Sequence, residues 1–262
     1  MLLILCPLDD LDALAFAHRA TAEGTGCRIL TAEALSFAGR RSHRIVSPVR
    51  GSGAPISVRT EIEALGLPPI NDEQVSGVLN RLIEPPASAW RRATAVERDY
   101  ATAELFAFTI SWLSGFECPV RNRPTASCLA GPAPHPLRAV VAAQAAGLEC
   151  PDLRYGSDTA AAQPDLAAAA FAAAGPGARA RQVVCLDGMV LSDGIPADPG
   201  AGVVGLLCAI GADADLVGVD FAVRGDHWVF AGLTPLPALG GLGRDGRRTL
   251  LATLTPARTA VA

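Results

Sequence analysis

Lysine is absent from the sequence. The chain has 262 residues, and the 22 positions that hold lysine or arginine are all arginine. Phosphate-binding loops of the Walker type and enzymes that form Schiff bases both depend on a lysine ammonium group, so both classes are disfavoured. Heavy use of arginine beside 26 glycines and 20 prolines is typical of a GC-rich genome, which is the expected origin of the bias.

Charged and aromatic side chains are also scarce. Charged residues make up 18% of the sequence and aromatic residues 5%, and the formal net charge is −4. Proteins that bind nucleic acid usually carry a basic surface with aromatic residues among the basic ones, so no nucleic-acid partner is expected. Half of the residues are hydrophobic, which predicts a sizeable core.

Long hydrophobic runs and metal-ligand motifs are missing as well. The apolar residues 1–6 are too few for a signal peptide, and acidic residues follow at once, which favours a buried strand. We therefore expect a cytoplasmic protein without a membrane partner. The histidines and cysteines show no metal-ligand spacing and no C-x-x-C pair, which predicts reduced thiols and no metal. They are His18, His43, His135, His227, Cys6, Cys27, Cys118, Cys128, Cys150, Cys185 and Cys208.

The first half of the chain predicts an α/β domain. Its opening has the apolar pattern of a β-α-β unit, and the basic stretch 34–62 predicts small strands joined by a turn. Residues 76–82 predict a strand that carries Asn80 and Arg81 to its carboxyl end, where open α/β sheets bind ligands. Residues 95–115 predict a long helix, because large apolar side chains recur there at helical spacing.

The second half predicts two β-hairpins and a simple connector. Residues 182–191 favour a hairpin with an Asp187-Gly188 turn, and residues 216–233 favour a second hairpin. Before them, residues 159–180 include 12 alanines, which indicates a connecting helix and turn. Further helices are predicted at residues 136–146, 199–212 and 246–254.

Two sets of short motifs carry a family resemblance. The first set is Val78-Leu-Asn-Arg81, Tyr100-Ala-Thr-Ala-Glu104, Trp112-Leu113, Asn122-Arg-Pro124 and Gly147-Leu148-x-x-Pro151. The second set is Gly218-Val-Asp220-Phe, Trp228-Val-Phe and Thr234-Pro-Leu-Pro237. In this order the motifs resemble the ATP-grasp superfamily, in particular RimK-like ligases and the MvdD-like graspetide synthetases, which mature peptides.

The resemblance implies a fold in two parts. It predicts an N-terminal α/β, pre-ATP-grasp-like domain over residues 1–130. A truncated ATP-grasp-like α+β domain is predicted over residues 131–262. Members of the family hold ATP against a layer of strands with lysines and a glycine-rich loop, but here the alanine-rich connector stands in that place. The sequence is therefore interpreted as a degenerate, shortened ATP-grasp protein.

The same resemblance identifies the positions that would hold magnesium and nucleotide. The family's glutamate and asparagine ligands match Gly232 and Thr234, while an aspartate is retained at Asp220. Mg²⁺ requires anionic oxygens together with substrate phosphates, so the lost ligands weaken the site. Asp220 is a vestigial metal candidate, and Arg181 is a vestigial nucleotide-binding candidate.

A substrate site is predicted on the N-terminal domain. If the strand order follows the family, five polar residues cluster there, and arginine forks suit the carboxylates of an acidic peptide. The alternative is that these arginines brace loops through carbonyls and ion pairs. The residues are Asn80, Arg81, Arg121, Asn122 and Arg123.

Two functional hypotheses follow. In the first, the chain is a pseudoenzyme that needs no cofactor and binds an acidic peptide or a partner subunit in a modifying pathway. Apolar surface left uncovered by the missing layer then implies a homodimer or a catalytic partner protein. In the alternative, the chain is an ATP- and magnesium-dependent carboxylate–amine ligase that another subunit completes. Whether it is an enzyme therefore stays open at the level of sequence.

Overall fold

A computed structural model describes residues 1–46, 57–64, 66–153, 165–212 and 215–256. Its internal contacts divide the chain into two compact units. The first comprises Met1–Gly131 together with the end of the chain from Leu250, and the second comprises Pro132–Thr249. The two-domain organisation with a boundary after residue 130 stays a prediction. Within the described ranges, no helix is both long and apolar enough to cross a bilayer.

Among the described residues, the first unit contains seven strands and three complete α-helices, together with the end of a helix that begins in the second unit. They are β1 (Leu2–Cys6), α1 (Leu11–Ala22), β2 (Cys27–Thr31), α2 (Ala32–Ser36), β3 (Arg40–Val46), β4 (Ser57–Glu63), β5 (Ile70–Asn71), β6 (Gly77–Asn80), α3 (Ala95–Gly115) and β7 (Val120–Arg121). The strands form a four-stranded parallel sheet in the order β2-β1-β6-β7 and a three-stranded antiparallel sheet in the order β3-β4-β5. The predicted small strands are thus confirmed, while their joining turn lies outside the described residues.

The parallel sheet is the structural centre of this unit. Every residue of β1 and β6 is buried, as expected for strands covered on both faces. α3 packs on the sheet through Trp112 and Leu113, which share a core cluster with residues of β1 and β6. Leu105 of the same helix is buried too, so the predicted helix and its apolar face are confirmed. Its first turn is held by a capping box between Thr94 and Glu97.

The second unit is built on an antiparallel sheet. Its elements are α4 (Pro136–Ala145), α5 (Leu166–Ala174), β8 (Arg179–Leu186), β9 (Met189–Val190), α6 (Ala197–Ile210), β10 (Val217–Arg224), β11 (His227–Thr234) and the first part of α7 (Arg244–Leu254). The strand order is β11-β10-β8-β9, so both predicted hairpins are confirmed. Asp187 and Gly188 have φ of 49° and 70°, as a tight hairpin turn requires.

Helices cover both faces of this sheet. α4 and α6 pack on a core that includes Val183, Val219 and Phe230. On the other face, small α5 side chains such as Ala170 and Ala174 allow a close approach to the strands. The predicted connecting helix is confirmed as α5, but the predicted loss of the phosphate-binding layer concerns a stretch that includes residues 154–164, outside the described ranges. The mixed α/β fold class is confirmed.

Candidate functional site

The carboxyl ends of β1 and β6 bring Arg81 against Asp10. Arg81 Nε lies 2.6 Å from Asp10 Oδ2, and Arg81 Nη2 lies 3.3 Å from Asp10 Oδ1. The two side chains are only 5% and 11% exposed, so the pair is largely removed from water. Asp10 also caps α1, because its Oδ1 accepts a hydrogen bond of 3.0 Å from the Ala13 amide. The charge of Arg81 is therefore compensated inside the protein.

Asn80 holds the loop that follows β7. Its Nδ2 donates to the carbonyls of Asn122, at 2.9 Å, and Leu129, at 2.6 Å, and Asn80 is 1% exposed. Asn122 is buried too, and a Cβ on Gly131 would lie 2.6 Å from the Asn122 Cβ, which explains a glycine at that position. In these contacts Asn80 donates to backbone carbonyls, and Asn122 packs closely against Gly131.

Arg121 and Arg123 lie at the end of β7. Arg121 is paired in register with Leu79 of β6. Arg123 donates to the carbonyls of Leu113, at 3.3 Å, and Phe116, at 3.4 Å, at the end of α3. Arg81 forms an ion pair and Arg123 donates to carbonyls, so both make the loop-bracing contacts that the sequence offered as the alternative to substrate binding. A role for the five polar residues in binding a substrate stays a prediction.

Exposed apolar side chains surround the same strand ends. Leu8 and Leu11 follow β1 and are 61% and 76% exposed, and Ile83 follows β6 and is 54% exposed. The Arg81–Asp10 contact draws these two segments together. We call Leu8, Leu11, Arg81 and Ile83 the carboxyl edge. Sequence reasoning missed its apolar part, although leucines just after a predicted strand end were a visible signal.

In the second unit, the β10–β11 hairpin positions Asp220. Gly232 lies directly across the ladder from it, and Gln182 of β8 lies on its other side. Gln182 Nε2 donates to Asp220 Oδ1 at 2.7 Å, while Gln182 Oε1 accepts from the Ala238 amide at 2.6 Å. Gly218 makes room for this side chain, since a Cβ there would lie 2.6 Å from the Gln182 carboxamide carbon. Burial raises the pKa of Asp220, and the hydrogen bond from Gln182 opposes that shift.

The residues around Asp220 do not fit a magnesium–nucleotide group. Gly232 offers no side-chain oxygen, and the Thr234 hydroxyl already accepts from the Leu236 amide at 3.1 Å. One carboxylate that is itself hydrogen-bonded falls short of the several oxygen ligands that Mg²⁺ takes from proteins and phosphates. In the described parts of the chain, no group of three or more His, Cys, Asp or Glu residues is placed to hold a metal ion.

The two vestigial candidates are not brought together. Arg181 precedes Gln182 on β8, and successive side chains of a strand point to opposite faces, so Arg181 faces away from the Gln182–Asp220 pair. Its guanidinium lies 6.0 Å from the centre of the Trp228 ring, and its Nη2 donates to the Asp193 carbonyl at 3.3 Å. Gln182 was not singled out by sequence reasoning, since its partner Asp220 is 38 positions away.

Comparison with known proteins gives relatives by structure alone. No family model matches the sequence, and no curated protein matches it. Solved structures match over most of their length, and three of them are given for comparison. The macrocyclase MdnC of Microcystis aeruginosa MRC, bound with precursor peptide MdnA, has a TM-score of 0.62 at 13% identity, over 90% of this chain and 92% of its own. The ATP-grasp ligase PsnB, complexed with a minimal precursor, gives 0.59 at 14% identity, over 96% and 98%.

The third is a RiPP-associated ATP-grasp ligase of Chryseobacterium gregarium, in complex with ADP and a leader and core peptide. It gives a TM-score of 0.52 at 11% identity, over 97% of this chain and 92% of its own. At such low identity the likeness concerns the fold. The similarity to peptide-maturing ATP-grasp proteins that the motifs indicated is thereby confirmed at the level of structure. The chain has the ATP-grasp-like fold of the RiPP-associated ligases.

Proposed function

We propose that this chain is a non-catalytic ATP-grasp-like protein that binds an acidic peptide or a partner protein in a peptide-modifying pathway. The observation that carries the proposal is the environment of Asp220. Its carboxylate faces Gly232 across the ladder and is held by Gln182. Phosphoryl transfer depends on positioning the phosphates and on neutralising their charge. A hairpin with one hydrogen-bonded carboxylate, in a chain without lysine, has too few groups to do either.

The peptide side of the proposal is supported by the fold. MdnC, PsnB and the Chryseobacterium ligase have this fold and were each solved with a peptide. In this chain we place the bound peptide or partner at the carboxyl edge, near Arg121 and Arg123. Because Asp10 compensates Arg81, the exposed Leu8, Leu11 and Ile83 would supply most of the contact, and apolar surface of this kind marks interaction sites.

We also place the protein in the cytoplasm. All seven cysteines are free thiols. Burial raises the pKa of Cys6 and of Cys185 to about 12, which keeps both in the unreactive thiol form. Cysteines that are all unpaired suit a reducing compartment, where disulfides are rare.

Calorimetry with Mg-ATP tests the non-catalytic part of the proposal. We expect no heat of binding to the purified chain, because the engaged Asp220 and the missing lysines leave the triphosphate without compensation. A micromolar dissociation constant would overturn the proposal. It would favour the alternative, an ATP-dependent carboxylate–amine ligase completed by another subunit. The likeness to a ligase solved in complex with ADP supports that alternative.

The peptide-binding part is tested with a labelled synthetic peptide of alternating glutamate and leucine. Fluorescence anisotropy should detect binding that the double variant Leu8→Asp with Leu11→Asp loses. The matched control is Val141→Asp, which changes a side chain that is 65% exposed in the second unit. Equal binding by both variants would remove the carboxyl edge from the proposal while leaving the nucleotide result unaffected.

A further inference from the structure

An open cleft of about 650 Å³ lies in the first unit, away from the carboxyl edge. It is lined by residues just before β6 and β7, so it sits at the amino ends of these parallel strands. Its volume falls in the range of about 300–1,000 Å³ that small-molecule sites occupy. Nothing in the proposed function uses it. Its lining includes the side chains of Val58, Asp72, Val75, Phe116 and Glu117.

Asp72 is the polar group of the cleft that is fixed most firmly. Its Oδ2 accepts from the Thr60 amide at 2.6 Å, and its Oδ1 accepts from Trp112 Nε1 at 3.2 Å. Behind it, Thr60 Oγ1 lies 2.9 Å from His43 Nδ1, and His43 Nε2 lies 2.8 Å from Ser111 Oγ. This chain of contacts runs from the cleft through β4 and β3 to α3. The carboxylate is therefore held in one orientation before any ligand arrives.

The charge of Asp72 has no matching cation in contact. Among the residues that the structure describes, Asp72 forms no ion pair, and its hydrogen-bond donors are neutral groups. Burial accordingly raises the pKa of Asp72, while the hydrogen bonds from Thr60 and Trp112 and then the nearby His43 oppose the shift. A half-buried carboxylate gains most from a cation that brings its own hydrogen-bond donors.

The rest of the lining selects the kind of cation. Glu117 is exposed at the cleft and adds negative charge, while Glu73 is already paired with Arg59 at 3.6 Å. Val58, Val75 and Phe116 supply an apolar wall. No set of three or more metal-ligating side chains is assembled in the described ranges, so a metal ion is not the cation that suits this cleft.

We propose that the cleft binds a small organic ammonium ion with a short apolar body. The ammonium group donates hydrogen bonds to the Asp72 carboxylate, and the apolar body lies against Val75 and Phe116. Two sources share this chemistry, a free amine and the side chain of a lysine in a peptide. The proposal is independent of the proposed function, because it concerns the opposite edge of the sheet.

Calorimetry with benzylamine tests the proposal, with benzyl alcohol as a neutral probe of the same shape. We expect benzylamine to bind and benzyl alcohol to bind at least tenfold more weakly, since hydrogen bonds to a charged group contribute about 1.5–3 kcal/mol. Asp72→Asn keeps an acceptor for Thr60 but removes the charge, so it should weaken benzylamine by a similar factor. The matched control, Glu104→Gln on the exposed face of α3, should leave binding unchanged.

A second variant guards against misfolding of the first. Ser76→Trp should fill the cleft and block benzylamine, while circular dichroism reports that the fold is kept. Nα-acetyl-lysinamide carries the same ammonium group on a peptide-like body, and whichever probe binds more tightly identifies the source. The proposal is overturned if benzyl alcohol binds as tightly as benzylamine, if Asp72→Asn binds benzylamine like the wild type, or if neither amine binds at millimolar concentration.

Discussion

At the scale of single residues, Asp220 has the surroundings of a structural hydrogen-bond acceptor. Gln182 joins its carboxylate to the Ala238 amide and so ties the segment after β11 to β8. Burial raises the pKa of Asp220 above that of an exposed carboxyl group. The folded state therefore holds the proton more tightly than the unfolded state does, which costs stability at neutral pH.

Asp220→Asn should accordingly leave the stability at neutral pH unchanged or increased. An asparagine Oδ1 still accepts from Gln182, and the cost of a buried charge disappears. Below the pKa of an unfolded aspartate both states are protonated, so the advantage should vanish there; it should grow as pH rises through the folded pKa. Urea unfolding of both proteins at acid and neutral pH measures this. If Mg-ATP stabilised the wild type but not the variant, Asp220 would be a metal ligand after all.

At the scale of elements, one close contact joins the end of α7 to the start of β6. A Cβ on Gly77 would lie 1.8 Å from the Leu254 carbonyl oxygen, far inside the distance at which two non-bonded atoms clash. The obstacle is backbone and cannot turn aside as a side chain can. The φ of Gly77 is not in the left-handed region. The close approach of the Leu254 carbonyl, and not the backbone conformation, is therefore what requires glycine here.

Gly77→Ala should therefore force the last turn of α7 away from the sheet. Overpacking of a fitted contact costs about 1–3 kcal/mol, and we expect a loss of stability in that range. Gly26→Ala is the matched control, because no atom lies within 4 Å of its added Cβ. Thermal unfolding compares the two, and equal melting temperatures would show that α7 is not seated on β6.

The elements also show how far sequence reasoning reaches. α3 and the Asp187-Gly188 hairpin were predicted because their signals are local, namely apolar side chains at helical spacing and a turn dipeptide. α2 was missed, since five residues capped by Thr31 have too few turns for a periodic pattern. The contacts within the candidate site were harder to predict from the sequence. Asp10 is 71 positions from Arg81, and only the pairing of β1 with β6 brings them together.

At the scale of the whole molecule, burying the exposed apolar side chains of the carboxyl edge would require a partner. Leu8, Leu11 and Ile83 are each more than half exposed, and the charge of Arg81 beside them is compensated by Asp10. Exposed apolar side chains grouped in this way are costly in water. When no peptide is bound, a second copy of the chain would cover it without requiring any other component, and closed dimers are the commonest oligomers.

We therefore expect a homodimer in solution, which light scattering detects as twice the mass of one chain. The double variant Leu11→Asp with Ile83→Asp should reduce the mass to that of one chain, because charges would then face each other across the contact. Val141→Asp, an exposed position in the second unit, should remain dimeric. A wild type that is monomeric at micromolar concentration contradicts this expectation and leaves the edge to a different partner.

The double duty of Asp10 links events that would otherwise be separate. One carboxylate caps the first turn of α1 through the Ala13 amide and compensates Arg81 at the end of β6. Fraying of that turn would therefore also disturb the contact of Asp10 with Arg81. We therefore expect the opening of α1 and the loosening of β6 to be coupled, so that the amide protons of both segments exchange with solvent together.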